Sequence, residues 1–211
     1  MAIIDLNSGS QSEHITKAAA ALKDGYVIVV PLENSYALVA DAFFHDAVRS
    51  LHVLRGDALG IAAQVLISTP AAIDGIAREV SDDARALMEK FWPGLLSLNL
   101  KPQRGLNWDL GDGQQLDLIS VRVPAAEFIL ELTKVHGPIA VASAALAGKP
   151  AISDPAELNF TESEVAAIFS AGQLEPGLAS TVVACDGDTS RIVRVGAISA
   201  EQITAIAPAI S

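Results

Sequence analysis

The chain has 211 residues and a mass of 21.9 kDa, enough to bury one sizeable core. Hydrophobic residues make up 51% and charged residues 18%, a balance at which burial offsets conformational entropy, so collagen, coiled coil and disorder are excluded. A total of 14 Lys and Arg against 25 Asp and Glu gives a net charge of -11, a field that repels phosphate backbones unless the cations gather on one face.

Capped helices alternate along the chain with short β-branched runs, the signature of a sheet with helices packed on it. Ser10 and Glu13 have capping-box spacing and open a helix through Leu22, which Gly25 ends. A buried strand over 26–30 is stopped by Pro31. A helix over 47–54, a strand over 64–67 and a helix over 82–91 follow, the last N-capped by Ser81. Strands over 95–100 and 116–123 flank a loop rich in Gly, Asp and Asn. A helix over 126–132 leads to a buried strand over 139–142. Thr161 with Glu164, and Ser199 with Gln202, repeat the capping-box spacing ahead of two more helices. Between them, strands over 181–184 and 192–195 surround the turn signal Asp186-Gly187-Asp188. Strands this short and this close pair antiparallel in part, which predicts a mixed sheet.

No repeat or linker divides the chain, so residues 1–211 are read as one domain. The longest uncharged stretch tested for the membrane, residues 58–73, is too short and too polar to span. The single cysteine, Cys185, cannot close an internal disulfide, and the Met1 region has no basic start followed by an apolar core, so the chain reads as cytoplasmic. Neither a G-x-x-x-x-G-K-[ST] loop nor a G-x-G-x-x-G turn is present, and no G-x-S-x-G elbow. His45 and His52 sit on a helix without Cys, Asp or Glu completing a ligand set, so no metal site is expected. Cys185, on a predicted strand, reads as a small buried hydrophobe.

Four segments stand out at strand and helix ends, where α/β sites are built. The first, residues 31–38, is a polar turn containing Asn34 and Tyr36. The second is the aromatic stop Phe91-Trp92-Pro93-Gly94, and the third a small-residue loop from Ser143 to Pro150. The last combines Ser180 and Thr181 with Arg191 and Arg194. Small residues admit a ligand close to the backbone, and Ser, Thr and Arg donate to oxyanions.

Taken in order, these segments resemble those of the YrdC-like family, the threonylcarbamoyl-AMP synthases of tRNA adenosine-37 modification. The family's P-T-D-T-V-Y-G-L resembles residues 31–38, its K-G-R-P resembles Arg55-Gly56-Asp57-Ala58, and its W-P-G-P-L-T resembles residues 92–97. Its R-V-P is Arg122-Val123-Pro124, its S-A-N-x-S-G is matched by Ser143 to Gly148, its S-T-V-V by Ser180 to Val183, and its R-x-G-A-I by Arg194 to Ile198. The resemblance implies an α/β, three-layer fold, a twisted mixed sheet with helices on both sides, also seen in dihydroxybutanone-phosphate synthase. It further implies a cleft holding ATP with Mg2+, L-threonine and bicarbonate, a reaction that releases pyrophosphate and leaves a carbamoyl-adenylate, and double-stranded RNA binding.

Carried over residue by residue, the resemblance puts Arg55 and Arg194 at the transferring phosphates as catalytic residues. Ser143 and Ser180 would bind nucleotide, Arg122 the cleft wall or a substrate carboxylate, and Asn34 with Tyr36 would shape the threonine pocket. The chain departs from the family at Leu32 and Asn34 for threonines, Ala37 for glycine, Asp57 for arginine, Ala58 for proline and Ala145 for asparagine. Asp57 changes the local charge by two units, each worth roughly 3 kcal/mol at ~5 Å and an effective dielectric of ~20. The alternative is a catalytically silent paralogue keeping the cleft for another small anion or a protein partner. RNA binding is disfavoured by the acidic balance, with Lys101, Arg104 and Lys149 the cations outside the cleft to inspect. The sequence sets no oligomeric state.

Overall fold

The computed structural model describes residues 2–115, 117–186 and 190–210. In chain order the elements are β1 (Ala2–Asp5), α1 (Gln11–Lys23), β2 (Ile28–Pro31), β3 (Tyr36–Asp41), α2 (His45–Arg55), β4 (Gln64–Leu66), α3 (Ile73–Ile76), α4 (Asp82–Phe91) and β5 (Leu96–Leu100). They continue with β6 (Ile119–Arg122), α5 (Glu127–His136), β7 (Ile139–Ser143), β8 (Ala167–Ser170), β9 (Thr181–Cys185), β10 (Ser190–Arg194) and α6 (Ala200–Ile206). The strands form one sheet in the order β1-β8-β2-β3-β7-β4-β6-β5-β9-β10. The pairs β1/β8, β8/β2, β4/β6 and β5/β9 are parallel and the others antiparallel, so the sheet is mixed as expected.

Helices cover both faces, as the three-layer expectation requires. Ile15, Ala18 and Leu22 of α1 and Phe128, Ile129 and Leu132 of α5 pack with Ile28, Val30, Val39 and Val141 on one face. Val48 and Leu51 of α2, Leu87 and Met88 of α4 and Ile203 of α6 pack on the other, against Val29, Leu38, Val65 and Leu98. Each strand thus alternates its side chains between two apolar layers, and the central strands read as nearly continuous hydrophobic runs.

The sequence expectations differ from the structure at definite points. Thr161 and Glu164 do make one half of a capping box, the Glu164 carboxylate accepting from the Thr161 N–H at 2.7 Å, but a single turn forms instead of a helix. The run Val165-Ala-Ala-Ile-Phe-Ser behind it buries as strand β8 between β1 and β2, and sheet pairing overrides the local cap. Ser10 caps nothing with its side chain, pairing with the Ser12 hydroxyl at 2.8 Å, whereas Ser199 and Gln202 form both halves of their box. Pro31 does not stop β2 but pairs with Tyr36 across a hairpin, so the segment read as a turn contains the start of β3. Leu116, at the start of the expected sixth strand, and Gly187 and Asp188 of the expected turn lie outside the described residues. Cys185 is buried, and burial pushes its thiol above the ordinary range.

Candidate active site

Where α1 and α5 no longer cover the sheet face they share, the strands carry polar side chains into a cleft of about 560 Å³. Its lining brings together Asn34, Arg55, Arg122, Ser143, Ser180 and Arg194 from segments spread over the whole chain. Six of the seven expected site residues therefore share one hollow. Tyr36 does not: it is 0% exposed, and its hydroxyl donates to the Gly172 carbonyl at 2.6 Å. The physical reason is strand alternation, since Ala37 faces the cleft and its neighbour Tyr36 must face the opposite apolar layer.

The three guanidinium groups occupy different electrostatic settings. Arg55, on the last turn of α2, meets the Asp57 carboxylate through Nε at 3.0 and 3.2 Å. Its Nη1 donates to the carbonyls of Ser143 at 2.6 Å and Ala145 at 3.0 Å, so the side chain ties the end of β7 to α2. Asp57 is 5% exposed at its side chain and also lies 2.9 Å from His52 Nδ1, whose Nε2 is 2.7 Å from the Leu110 carbonyl. Burial alone would raise the Asp57 carboxyl, but hydrogen bonds from Arg55 and His52 outweigh it and hold the group below the usual carboxylate range. Gly111 lets this arrangement close, because a Cβ there would sit 2.3 Å from His52 Nε2.

Arg122 is 3% exposed and donates through Nη1 to Glu33 at 2.7 Å, while the Ala125 N–H donates to the same oxygen at 2.8 Å. Burial would raise Glu33, and the Arg122 charge and these two hydrogen bonds overcome it, leaving the carboxyl below its ordinary value. The Nε of Arg122 is buried without a partner among the described residues. Arg194 differs from both. Its Nε and Nη2 donate to the Ser180 carbonyl at 3.2 and 2.8 Å, Nη2 also reaches the Ser180 hydroxyl at 3.2 Å, and no carboxylate pairs with it among the described residues. Gly196 permits the close approach of these strands, since a Cβ there would lie 2.1 Å from the Ala179 carbonyl.

Two further features close the site. The Asn34 amide donates to the Leu178 carbonyl at 2.8 Å, tethering the segment that holds Gly177 and Ala179 at the cleft rim. The Ser143 hydroxyl accepts from the Ala145 N–H at 3.2 Å, shaping the small-residue loop. Sequence reasoning missed Glu33 as a partner, His52 as part of the Asp57 cluster, and the polar floor made by Gln64, Ser97 and Ser120. Glu33 and Arg122 lie 89 positions apart, and no local spacing connects them. Of the cations outside the cleft, Lys101 is paired with Glu79 at 2.8 Å, and Lys149 lines a separate small pocket. No helix among the described residues is long and apolar enough to cross a membrane.

Comparison with known proteins finds relatives of this chain and of its fold. The family model for Sua5, YciO and YrdC proteins, described as "Telomere recombination", matches residues 20–196. A Mycobacterium tuberculosis protein provisionally named threonylcarbamoyl-AMP synthase is 34% identical over 197 residues, spanning 93% of this chain and 90% of its own. The threonylcarbamoyl-AMP synthase of Bacillus subtilis is 32% identical over 91% of this chain, which spans only 56% of that longer protein. Among solved structures, Pyrococcus abyssi Sua5 complexed with L-threonine superposes with a TM-score of 0.88 at 26% identity, covering 100% of this chain and 63% of that one. The fold is also that of Escherichia coli YciO, with a TM-score of 0.82 over 96% of this chain and 98% of that one, at 24% identity. With its model matched over most of the length and a relative more than 30% identical end to end, the chain belongs to the Sua5/YciO/YrdC family.

Proposed function

We propose that the chain is a threonylcarbamoyl-AMP synthase of tRNA modification, acting in the cytoplasm on L-threonine, bicarbonate and ATP, the last with its Mg2+. The observation that carries the reading is the convergence of Arg194, Ser180, Arg122 and Ser143 on one cleft of about 560 Å³, a volume suited to a nucleotide and a small amino acid. Relatives named for this reaction and a superposable threonine complex support it. In the reaction the threonine amine and bicarbonate combine to a carbamate with loss of water. A carbamate oxygen then displaces pyrophosphate from the α-phosphorus of ATP and leaves the mixed anhydride.

The chain's own part is positioning and charge stabilisation. Arg194 and Ser180 face the phosphoryl oxygens on which charge builds, with their donors already held in place. Arg55 braces the Ser143 loop against α2. Arg122, buried and paired with Glu33, holds the wall of the cleft. Mg2+ would arrive bound to the triphosphate as part of the substrate and would offset part of its charge. The silent-paralogue alternative is not favoured, since the surviving cations line a single cleft. The test is pyrophosphate release with Mg-ATP, L-threonine and bicarbonate, with the adenylate identified by mass. Release that ignores omission of threonine or bicarbonate would overturn the reading.

A further inference from the structure

The cleft floor contains a directed chain of hydrogen bonds that begins at Gln64 and Ser97, outside the expected site residues. Gln64 on β4 donates through its amide nitrogen to the hydroxyls of Ser97 at 2.7 Å and Ser120 at 3.1 Å. Ser97 on β5, which is 0% exposed, then donates its own proton to the Ser180 hydroxyl oxygen at 2.9 Å. Arg194 Nη2 donates to that same oxygen at 3.2 Å. A hydroxyl has two lone pairs and one proton. Both lone pairs of Ser180 are therefore occupied, and its O–H donates to nothing among the described residues. Ser180 is partly exposed and lines the cleft. The only hydrogen bond left for it to make with a ligand is one in which it donates.

We propose that Ser97, with Gln64 behind it, is a positioning residue that turns the Ser180 hydroxyl into a dedicated donor to an anionic oxygen of the bound ligand. The chain fixes polarity as well as place. Without the Ser97 proton, the Ser180 oxygen regains a lone pair and its hydroxyl rotates among several partners. With it, Ser180 and the free edge of Arg194 present donors only, a pair that selects phosphate or carboxylate oxygen over ligand groups that themselves donate. Ser120 takes the second amide proton of Gln64 and so fixes the amide plane. Ser97 itself is fully buried, out of reach of a ligand in the cleft. The inference rests on the reading that the cleft receives a nucleotide phosphate.

The experiment is a double-mutant cycle read by calorimetric titration of Mg-ATP and, separately, inorganic pyrophosphate, alongside adenylate formation. Ser180→Ala is expected to weaken binding about tenfold and Ser97→Ala about fivefold, with the double variant no weaker than Ser180→Ala alone. Ser97→Thr keeps the hydroxyl and restores wild-type affinity. Gln64→Met, at a partly exposed position that tolerates change, gives a smaller loss that also vanishes in the Ser180→Ala background, so a misfolded Ser97→Ala protein does not stall the test. Losses that multiply in the double variant overturn the proposal. If the wild type makes the adenylate while Ser97→Ala binds normally, the inference fails and the reaction stands. If no adenylate forms but pyrophosphate affinity shows the coupled pattern, the reaction fails and the inference stands. A wild type that binds neither probe overturns both.

Discussion

The two walls of the cleft use arginine in opposite ways. On one wall Arg55 and Arg122 are matched by the carboxylates of Asp57 and Glu33, and Nη1 of Arg55 also holds two backbone carbonyls. On the other, Arg194 meets only the carbonyl and hydroxyl of Ser180 and keeps its formal charge uncompensated by a neighbouring acid among the described residues. A buried guanidinium with a partner is structural: breaking the pair strands a charge, but the charge attracts little from outside. A guanidinium without one is available to an anion. The first wall should therefore govern stability and the second ligand binding.

Breaking the first wall gives the largest effect. Glu33→Ala leaves the Arg122 guanidinium buried and unpaired, and is expected to cost about 3–5 kcal/mol in urea unfolding. Arg194→Ala inverts the pattern. It should change unfolding free energy by under about 1 kcal/mol, yet lower the rate of pyrophosphate release about 100-fold, the scale of losing one preorganised donor at a developing charge. A large stability loss for Arg194→Ala would erase the contrast between the walls.

Asp57→Asn sharpens the comparison by freeing Arg55. Removing a carboxylate charge from the cleft should tighten Mg-ATP binding about tenfold, less than the full Coulomb value because the cleft is open to water. The same variant should lower stability modestly. Acid provides the gentlest probe. Glu33 and Asp57 ionise at lower pH when folded than when unfolded, so each contributes stability that is present above its unfolded value and lost as pH falls through its folded one. The melting temperature should drop below about pH 4, and Glu33→Gln should flatten that drop.

Much of this was legible in the residues. The helices starting at Ser81 and Ser199, the buried strands β2, β4, β5, β7 and β9, and the mixed sheet followed from caps and periodicity. That six of the expected residues line one cleft was legible because each sits in a short motif at a strand or helix end. Tyr36 was not, because its role depends on which face of β3 it takes, and one register step decides that. Strands β1, β3 and β8 escaped because no local signal marks them and each is defined by pairing with strands beside it. Glu33 with Arg122, and Gln64 with Ser97, are pairings across strands distant in sequence, and local spacing carries no trace of them.

The most direct measurement is a crystal structure with Mg-ATP bound. A phosphoryl oxygen is expected within hydrogen-bonding distance of both the Ser180 hydroxyl and the Arg194 guanidinium, with the Arg55–Asp57 pair intact. Phosphates seated on Arg55, with Asp57 swung away and Ser180 facing solvent, would contradict it.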